Sequence, residues 1–327
     1  MTEKATIKSI ARDLGISHMT VSRALSDNPN VRKDTRDAVL KRARELGYVK
    51  SAAAKAMRGD GTRIVGLLLP NITNEFYARF ANALAKACEE QSLHLIIHMT
   101  DDNIIQERQS LDRLREIQAM AVIMVPAPGG EGTETVSGMK VVQLIRQRTI
   151  EDRAAAILID DHEAICAAVR HLADEGHQSI GYIGGGQDLS SGRQRLTAYR
   201  DGLRRAGISE NADLVLTGVP SFDMGRTCAE QLLDGGQATA LICGGVEISN
   251  GALSALMDRG QQPGKDFAFI GYGDPAYYSW IGGGVSTVQL PVELLAEQAI
   301  KVLDDASNTS KDQPEDIRRF EANLAIR

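Results

Sequence analysis

The chain has 327 residues, of which 43% are hydrophobic and 24% are charged. This length and composition allow a large buried core and predict two or three domains. The first residues are charged and lack the apolar segment of a signal peptide, and no apolar run is long enough to span a bilayer, so we expect a cytoplasmic protein without a membrane segment. The four cysteines are isolated and show no C-x-x-C spacing, which predicts reduced core thiols rather than disulfides or zinc ligands.

Charge is divided unequally along the chain. Residues 1–60 contain 13 Lys and Arg against 7 Asp and Glu, whereas the rest of the chain contains 24 basic and 36 acidic side chains. The net charge of −6 for the whole chain conceals this contrast. A basic head on an acidic body is typical of a module that binds a polyanion and is attached to a globular domain.

Residues 6–25 predict a helix, a tight turn and a second helix. Thr6 is a good N-cap, and apolar residues recur at helical spacing until Gly15 ends the run. Ser17 caps the second helix, whose inward residues are Val21, Ala24 and Leu25. The opposite face of that helix carries His18, Met19, Ser22 and Arg23. This is the plan of a helix-turn-helix, whose second helix enters the DNA major groove, and the basic charge favours it over an ordinary pair of core helices.

A third apolar stripe ends at Gly47 and completes a small three-helix domain. Its basic side chains either contact phosphates or form a solvated face, and we favour the solvated face for most of them; they are Arg36, Lys41, Arg42 and Arg44. The alanine-rich segment 51–58 follows. It has high helix propensity but is too short for a stable isolated helix, so we expect it to be coil when free and helical when braced.

From about residue 62 the pattern alternates between short apolar runs and amphipathic stretches. Such runs are typical of strands that are buried on both faces in parallel sheets. They lie at 64–69, 93–97, 121–125, 141–144, 156–159, 180–183, 214–216, 240–242 and 267–270. Their number favours two open sheets rather than one. Because open sheets bind ligands beyond the C-terminal ends of their strands, we expect a ligand cleft between two lobes.

Six segments carry a more specific signal. They are 6–11 (TIKSIA), 20–25 (TVSRAL), 45–48 (ELGY), 64–71 (IVGLLLPN), 176–184 (GHQSIGYIG) and 286–291 (STVQLP). Together, in this order and spacing, they resemble the lactose/galactose repressor (LacI/GalR) family of bacterial transcriptional regulators. The resemblance implies an α/β protein in which an all-α helix-turn-helix head is joined to a two-lobed core like that of periplasmic binding proteins, with open parallel sheets flanked by helices.

The resemblance also implies domain boundaries. The helix-turn-helix domain would comprise residues 1–50, the hinge helix and linker 51–61, and the effector-binding and dimerisation core 62–327. Within the core, one lobe would contain residues 62–160 and 291–318, and the other 161–290 and 319–327.

In function, the resemblance implies an effector-responsive regulator that binds double-stranded DNA as a homodimer on a pseudo-palindromic operator. We expect a repressor of carbohydrate or sugar-acid catabolism genes that a small molecule releases; an activator or dual regulator is the alternative. An α/β enzyme with a DNA-binding head is a distant alternative, since no P-loop or nucleophile elbow occurs. We therefore predict no catalytic residue, metal or cofactor. No leucine heptad follows the final strand pattern, which favours dimers over tetramers.

The family's DNA contacts carry over to this chain residue by residue. Base reading falls on His18, Met19 and Arg23, whose side chains suit base edges in the major groove. Supporting contacts fall on Thr6, Ser17, Thr20 and Ser22. The hinge leucine that wedges into the minor groove falls on Met57, with Lys55 close by. Methionine is a tolerated but more flexible wedge.

The effector contacts carry over less completely. Phe76 and Tyr77 match pocket aromatics, with core packing as the alternative, and Arg195 matches the family's effector-contacting arginine. Where the chain departs from the family pattern, the remaining candidates are Glu247, Asp274, Phe222 and Trp280. Neutral sugars are normally held by carboxylates and amides, some of which are missing here. The departures therefore leave an acidic sugar or other small anion, held by Arg195, as an alternative to a neutral sugar.

Overall fold

The computed structural model of the protein describes residues 5–26, 28–48, 62–129, 138–148, 154–305 and 316–327. The chain divides into two compact units, Met1–Thr62 and Arg63–Arg327. The hinge candidates Lys55 and Met57, with the predicted helical segment 51–58, lie outside the described residues.

The smaller unit contains three helices around a small apolar core. The helices are α1 (Ile7–Leu14), α2 (His18–Leu25) and α3 (Lys33–Glu45). Their buried faces meet at Ile10, Ala11, Val21, Ala24, Val39 and Ala43. Gly15 ends α1 at a φ of 62°, a left-handed conformation that glycine adopts without steric cost. The predicted helix-turn-helix and its third helix are thus confirmed.

The larger unit alternates strands and helices along its length. Its strands are β1 (Ile64–Leu69), β2 (His94–Met99), β3 (Ala121–Met124), β4 (Lys140–Leu144), β5 (Ala154–Asp160), β6 (Ile180–Gly185), β7 (Val215–Gly218), β8 (Ala240–Cys243), β9 (Ala268–Tyr272), β10 (Ser286–Gln289), β11 (Ile317–Glu321) and β12 (Asn323–Ala325). Its helices are α4 (Glu75–Glu90), α5 (Ile104–Glu116), α6 (His162–Asp174), α7 (Ser190–Arg205), α8 (Phe222–Gly235), α9 (Val246–Asp258) and α10 (Val292–Asp305).

The strands form two six-stranded sheets, one in each lobe. The first has the order β11-β5-β4-β3-β1-β2 and the second β12-β10-β9-β8-β6-β7. Neighbouring strands run parallel except at one edge, where β12 pairs antiparallel with β10. The two predicted open sheets are confirmed, with β12 as a correction to the all-parallel expectation. β12 follows β11 after Ala322 alone, and it pairs with β10 of the second sheet while β11 pairs with β5 of the first.

The lobe boundary near the end of the chain also differs from the expected one. β11 pairs with β5 from Ile317 to Glu321, so the chain remains in the first sheet beyond residue 318. It enters the second sheet only after Ala322, since the register with β5 continues through Glu321.

Apolar burial in the larger unit follows the strands. β3, β6 and β8 are buried along their whole length, as helices on both faces of a parallel sheet require. All four cysteines are free thiols, and of these only Cys228 is partly exposed. Among the described residues, no helix is both long and apolar enough to cross a membrane.

Candidate functional site

The exposed face of α2 carries the predicted base-reading side chains. His18, Met19 and Arg23 are exposed, with Met19 at 53%, while Val21 and Ala24 on the other face are buried. A methionine this exposed contributes little to the small core of the head. The face is therefore accessible to a partner, whereas its position is fixed by the packing behind it.

The predicted supporting residues mainly cap helices. The Thr6 hydroxyl accepts a hydrogen bond from Ser9 N (3.1 Å) at the start of α1. Ser17 Oγ accepts one from Thr20 N (3.0 Å) at the start of α2, and the Ser17 and Thr20 hydroxyls lie 2.9 Å apart. Such caps satisfy amides that a helix leaves unpaired, so Thr6 stabilises the start of α1 and Ser17 the start of α2. Ser22 is half-buried on α2.

Two basic side chains of the third helix hold the head together. Arg36 Nη2 donates to Asn28 O (2.7 Å), and Arg42 forms ion pairs with Asp13 (2.6 Å) and Glu45 (3.0 Å). Lys41 and Arg44 are exposed, as expected for a solvated face.

A cleft of about 700 Å³, continuous with solvent, lies between the two lobes of the larger unit. Its lining residues follow the C-terminal ends of strands in both sheets: Asn71 follows β1, Arg146 follows β4, Gly244 follows β8 and Leu290 follows β10. This is the position at which open α/β sheets bind ligands.

Arg195 on α7 projects into this cleft from the second lobe. Its Nε donates to Asp161 Oδ2 (2.7 Å) and its Nη1 to Gly244 O (3.0 Å), and its guanidinium lies 4.1 Å from the centre of the Tyr272 ring. The Tyr272 hydroxyl donates to the same Asp161 oxygen (2.5 Å). Burial alone lowers the pKa of Arg195, but Tyr272 and Asp161 raise it above its ordinary value, so the guanidinium stays charged. Its geometry is fixed before any ligand arrives.

A second arginine enters the cleft from the first lobe. Arg146 is 6% exposed, and both of its terminal nitrogens donate to the carboxylate of Asp102. Burial lowers the pKa of Arg146, and its neighbours Tyr77 and Asp102 raise it overall. The two walls of the cleft thus each present an arginine that is already paired with an aspartate.

The loops that carry the Arg146–Asp102 pair have unusual backbone conformations. Asp101, Asp102 and Ile145 have φ values of 50°, 51° and 53°, in the left-handed region. For a β-branched residue such as Ile145 this is rare, and it costs about 1–3 kcal/mol. Strain of this kind persists where surrounding contacts require it, and here it coincides with the cleft.

The first lobe also contributes aromatic and amide groups. Phe76 and Tyr77, at the start of α4, are each 5% exposed and line the cleft. Burial raises the pKa of the Tyr77 phenol, so its hydroxyl keeps its proton and remains a donor. The side-chain oxygens of Asn71 and Asn74 accept from Asn74 N (2.9 Å) and Phe76 N (3.0 Å), which leaves the two amide NH₂ groups available to a ligand.

Glu247, in the first turn of α9, adds a carboxyl group to the lining. Burial raises its pKa above the ordinary value. With the two Arg–Asp pairs close to neutral, Glu247 gives the cleft a slightly negative balance when it is ionised.

Comparison with known proteins agrees with both units. Residues 6–51 match the profile of bacterial regulatory proteins of the lacI family, and residues 169–327 match that of periplasmic binding protein-like domains. The HTH-type transcriptional regulator GalR of Escherichia coli is 30% identical over 305 residues, which is 91% of this chain and 88% of GalR. The catabolite control protein A of Priestia megaterium is 26% identical over 309 residues, covering 93% of this chain and 92% of the relative.

The chain belongs to the lacI family of bacterial regulatory proteins. It is a ligand-responsive, DNA-binding regulator of transcription and not an enzyme. In fold it is similar to a Lac repressor dimer bound to operator and the anti-inducer ONPF, with a TM-score of 0.81 at 19% identity over 99% of this chain and 98% of that one.

Three of the effector residues expected from the lacI family are not among those that line the main cleft. Asp274 is held by Arg327 (2.8 Å) and accepts from Gln289 Nε2 (2.6 Å), and it lines a smaller pocket that shares Phe76, Val246 and Leu290 with the cleft. Phe222 begins α8 and is 39% exposed, and Trp280 is 77% exposed after a short 3₁₀ turn. Phe76, Tyr77, Arg195 and Glu247 do line the cleft.

Four residues that organise the cleft were not identified from the sequence. They are Asp102, Arg146, Asp161 and Tyr272. Asp161 follows β5 directly, and Tyr272 ends β9. A polar residue at the C-terminal end of a buried strand is the sequence signal that points to such positions.

Proposed function

We propose that this lacI-family protein represses transcription as a homodimer on a pseudo-palindromic operator in the bacterial cytoplasm, and that a neutral polyhydroxylated molecule in the interlobe cleft releases it. The observation that carries the effector class is the pair of buried Arg–Asp contacts on opposite walls of the cleft. The effector class, the base contacts and the sign of regulation are proposals.

The pairing of both arginines favours hydroxyl groups over a carboxylate as ligand. Arg195 already has Asp161, and Arg146 already has Asp102, so an anionic ligand competes with a buried carboxylate at each position. Glu247 adds further repulsion when it is ionised. A hydroxyl accepts from a guanidinium and donates to a carboxylate at the same time, so it fits beside such a pair without breaking it.

The other polar groups of the cleft support the same class of ligand. The NH₂ groups of Asn71 and Asn74 and the hydroxyl of Tyr77 are donors, and Glu247 is an acceptor. The apolar ring of Phe76 offers a surface for the C–H face of a sugar ring. Polar groups that converge on a ligand beside apolar side chains are typical of small-molecule sites.

For the DNA, we propose that His18, Met19 and Arg23 read base edges in the major groove of each half-site. Their exposure on α2 supports this role, as does the complex of the Lac repressor dimer with its operator. We also propose that Thr6, Ser17, Thr20 and Ser22 make supporting contacts to the DNA, while the hinge roles of Lys55 and Met57 rest on the resemblance alone.

The test begins with thermal unfolding of the full chain in the presence of matched neutral sugars, sugar alcohols and the corresponding sugar acids. A stabilising hit is then titrated against the chain bound to an operator selected from a random duplex library. We expect stabilisation by a neutral compound and release of the operator at concentrations near its Kd. Stabilisation by sugar acids alone would refute the proposed effector class, and tighter operator binding on addition of the hit would refute release.

A further inference from the structure

A cluster of metal-ligating side chains lies at the start of α6, outside the interlobe cleft. His162, Glu163 and Cys166 each present one ligand atom, and these atoms lie within 4.8 Å of one another. His162 Nδ1 is 3.0 Å from Glu163 Oε1 and 3.9 Å from Cys166 Sγ. One side of the imidazole therefore faces a carboxylate and a thiol together.

The other side of the imidazole has a partner that fixes its orientation. His162 Nε2 lies 3.1 Å from Asp201 Oδ2 on α7. In metal sites, a ligating histidine usually donates its second ring N–H to a carboxylate, which directs the free lone pair at the metal. The Asp201 contact gives His162 that arrangement, with Nδ1 directed at Glu163 and Cys166.

Helical spacing explains why these groups meet. His162 and Cys166 are four residues apart on α6 and share one face of the helix. Cys166 is 5% exposed, whereas the side chains of His162 and Glu163 are 33% and 75% exposed. Solvent therefore reaches the Glu163 carboxylate but not the Cys166 sulfur. Both residues line a surface cavity of about 350 Å³. An open side leaves a position for a water molecule.

We propose that His162, Glu163 and Cys166 bind a divalent cation of the Zn²⁺ type, with water as the fourth ligand. Nitrogen, oxygen and sulfur donors in a tetrahedral arrangement suit zinc, and the distances between the ligand atoms need only small side-chain shifts. On binding, His162 Nδ1 and the Cys166 thiol each release a proton to solvent; Nδ1 gives up its hydrogen bond to Glu163, and the sulfur gives up its hydrogen bond to Ala198 O (3.3 Å). The site is distinct from the effector cleft, although Asp161, which holds Arg195, directly precedes His162.

Neighbouring arginines are expected to lower the affinity of this site for a cation. Arg205 donates to both oxygens of Glu163 (2.8 and 3.0 Å), and Arg170 lines the adjacent cavity. The cation has to share Glu163 with Arg205. We therefore expect weaker binding than at a closed structural site with four protein ligands.

The test is a titration of the full chain, stripped of metal, with Co²⁺, followed by competition with Zn²⁺. A thiolate bound to Co²⁺ gives a charge-transfer absorption in the near ultraviolet, which reports Cys166 directly. We expect one equivalent of Co²⁺ per chain, loss of this absorption in Cys166→Ser, and a loss of affinity of about 10–100-fold in Asp201→Asn.

Matched controls lie on the same helix and among the other cysteines. His171 on α6 forms a comparable i,i+4 contact with Glu175 (3.4 Å), which caps the end of the helix, so His171→Ala is expected to bind Co²⁺ like the parent chain. Cys228→Ser is expected to retain the absorption. Operator binding and the circular dichroism of each variant show whether it is folded.

A second measurement needs no variant. Zn²⁺ is expected to slow alkylation of Cys166, mapped by mass spectrometry, and to leave Cys228 unchanged. No charge-transfer absorption with the folded parent chain, or equal protection of both cysteines, would overturn the proposal.

Discussion

The Arg195–Asp161 pair allows a quantitative prediction that does not require the effector. In Arg195→Ala, Asp161 keeps only the Tyr272 hydroxyl as a partner, although its side chain is 6% exposed. Removing one member of a buried ion pair costs about 3–5 kcal/mol, because the other charge is left uncompensated. At about 2–4 °C per kcal/mol for a unit of this size, the unfolding midpoint of the core is expected to fall by about 10 °C.

A double-mutant cycle separates the ion pair from lost packing. Asp161→Asn leaves Arg195 without its charge partner and is also expected to destabilise. In the double variant no buried charge remains unpaired, so it is expected to be more stable than the sum of the single losses predicts, by at least about 1 kcal/mol. The assay is urea unfolding of the full chain, followed by circular dichroism and by Trp280 fluorescence.

Arg200 provides the matched control. It lies on the same helix, and its ion pair with Glu210 is exposed, with side-chain exposures of 46% and 34%. Exposed pairs contribute about 0–1 kcal/mol, so Arg200→Ala is expected to be close to the parent chain. If Arg195→Ala and Arg200→Ala unfold at the same urea concentration, or if the cycle is additive, the buried pair does not hold the cleft in the way argued here.

The substitution Arg195→Ala also tests the effector site. Losing a directed contact to a buried charged group weakens a ligand by about 2–5 kcal/mol, which is about thirty- to several-thousand-fold. Below its unfolding temperature, Arg195→Ala is expected to bind operator normally and to lose its response to effector. An unchanged midpoint for effector release would place Arg195 outside the binding contacts.

Three further predictions concern other parts of the chain. Arg23→Ala is expected to weaken operator binding by about 1–3 kcal/mol per half-site and random-duplex binding much less; equal losses in competitor titrations would make Arg23 a phosphate contact. Burial raises the pKa of Glu247, and a ligand hydroxyl that donates to Glu247 favours its ionised form. The affinity for the effector, measured by calorimetry, is therefore expected to rise as the pH increases through this pKa. In Glu247→Gln the affinity is expected to lose this pH dependence. Gly192→Ala would place a Cβ against Gly186 O and is expected to cost about 1–3 kcal/mol of unfolding free energy, whereas Gly235→Ala, which meets nothing within 4 Å, is expected to cost far less.

Most of the fold follows from local patterns in the sequence. Apolar runs correspond to β1–β9. Strands buried on both faces, such as β3, β6 and β8, must be continuously apolar, whereas β2 and β7 are partly exposed at the edges of their sheets. β10–β12 did not stand out as strands. They are three to five residues long, and β11 (IRRFE) is half-exposed at a sheet edge and rich in charge, so neither length nor hydrophobicity marks it. Their pairing depends on tertiary contacts between the ends of the chain and the two sheets.

The residues of the candidate sites also differ in whether they could be predicted from the sequence. Residues of the head could be assigned because helical periodicity alone separates the exposed face of α2 from Val21 and Ala24. In the cleft, Arg195 and the two aromatics were found, but Asp102 and Arg146 were not. They lie 44 residues apart on loops with left-handed backbone conformations, which no periodicity indicates. Asp274 was also predicted at the effector site, and it lines the smaller adjoining pocket, where Arg327 and Gln289 hold it.

The choice between a neutral and an acidic effector shows why pairing matters more than composition. A sequence records that Arg195 is present, and an unpaired buried arginine would favour an anion. The structure adds that Asp161, 34 residues away, already neutralises it, and that Tyr272 donates to the same carboxylate. A carboxylated effector would bring a second carboxylate beside Arg195 while the Asp161 charge stays buried next to it, and crowding like charges in a buried site costs several kcal/mol. A hydroxyl adds its hydrogen bonds to the intact pair, so the physical argument favours the neutral ligand even though the cleft contains two arginines.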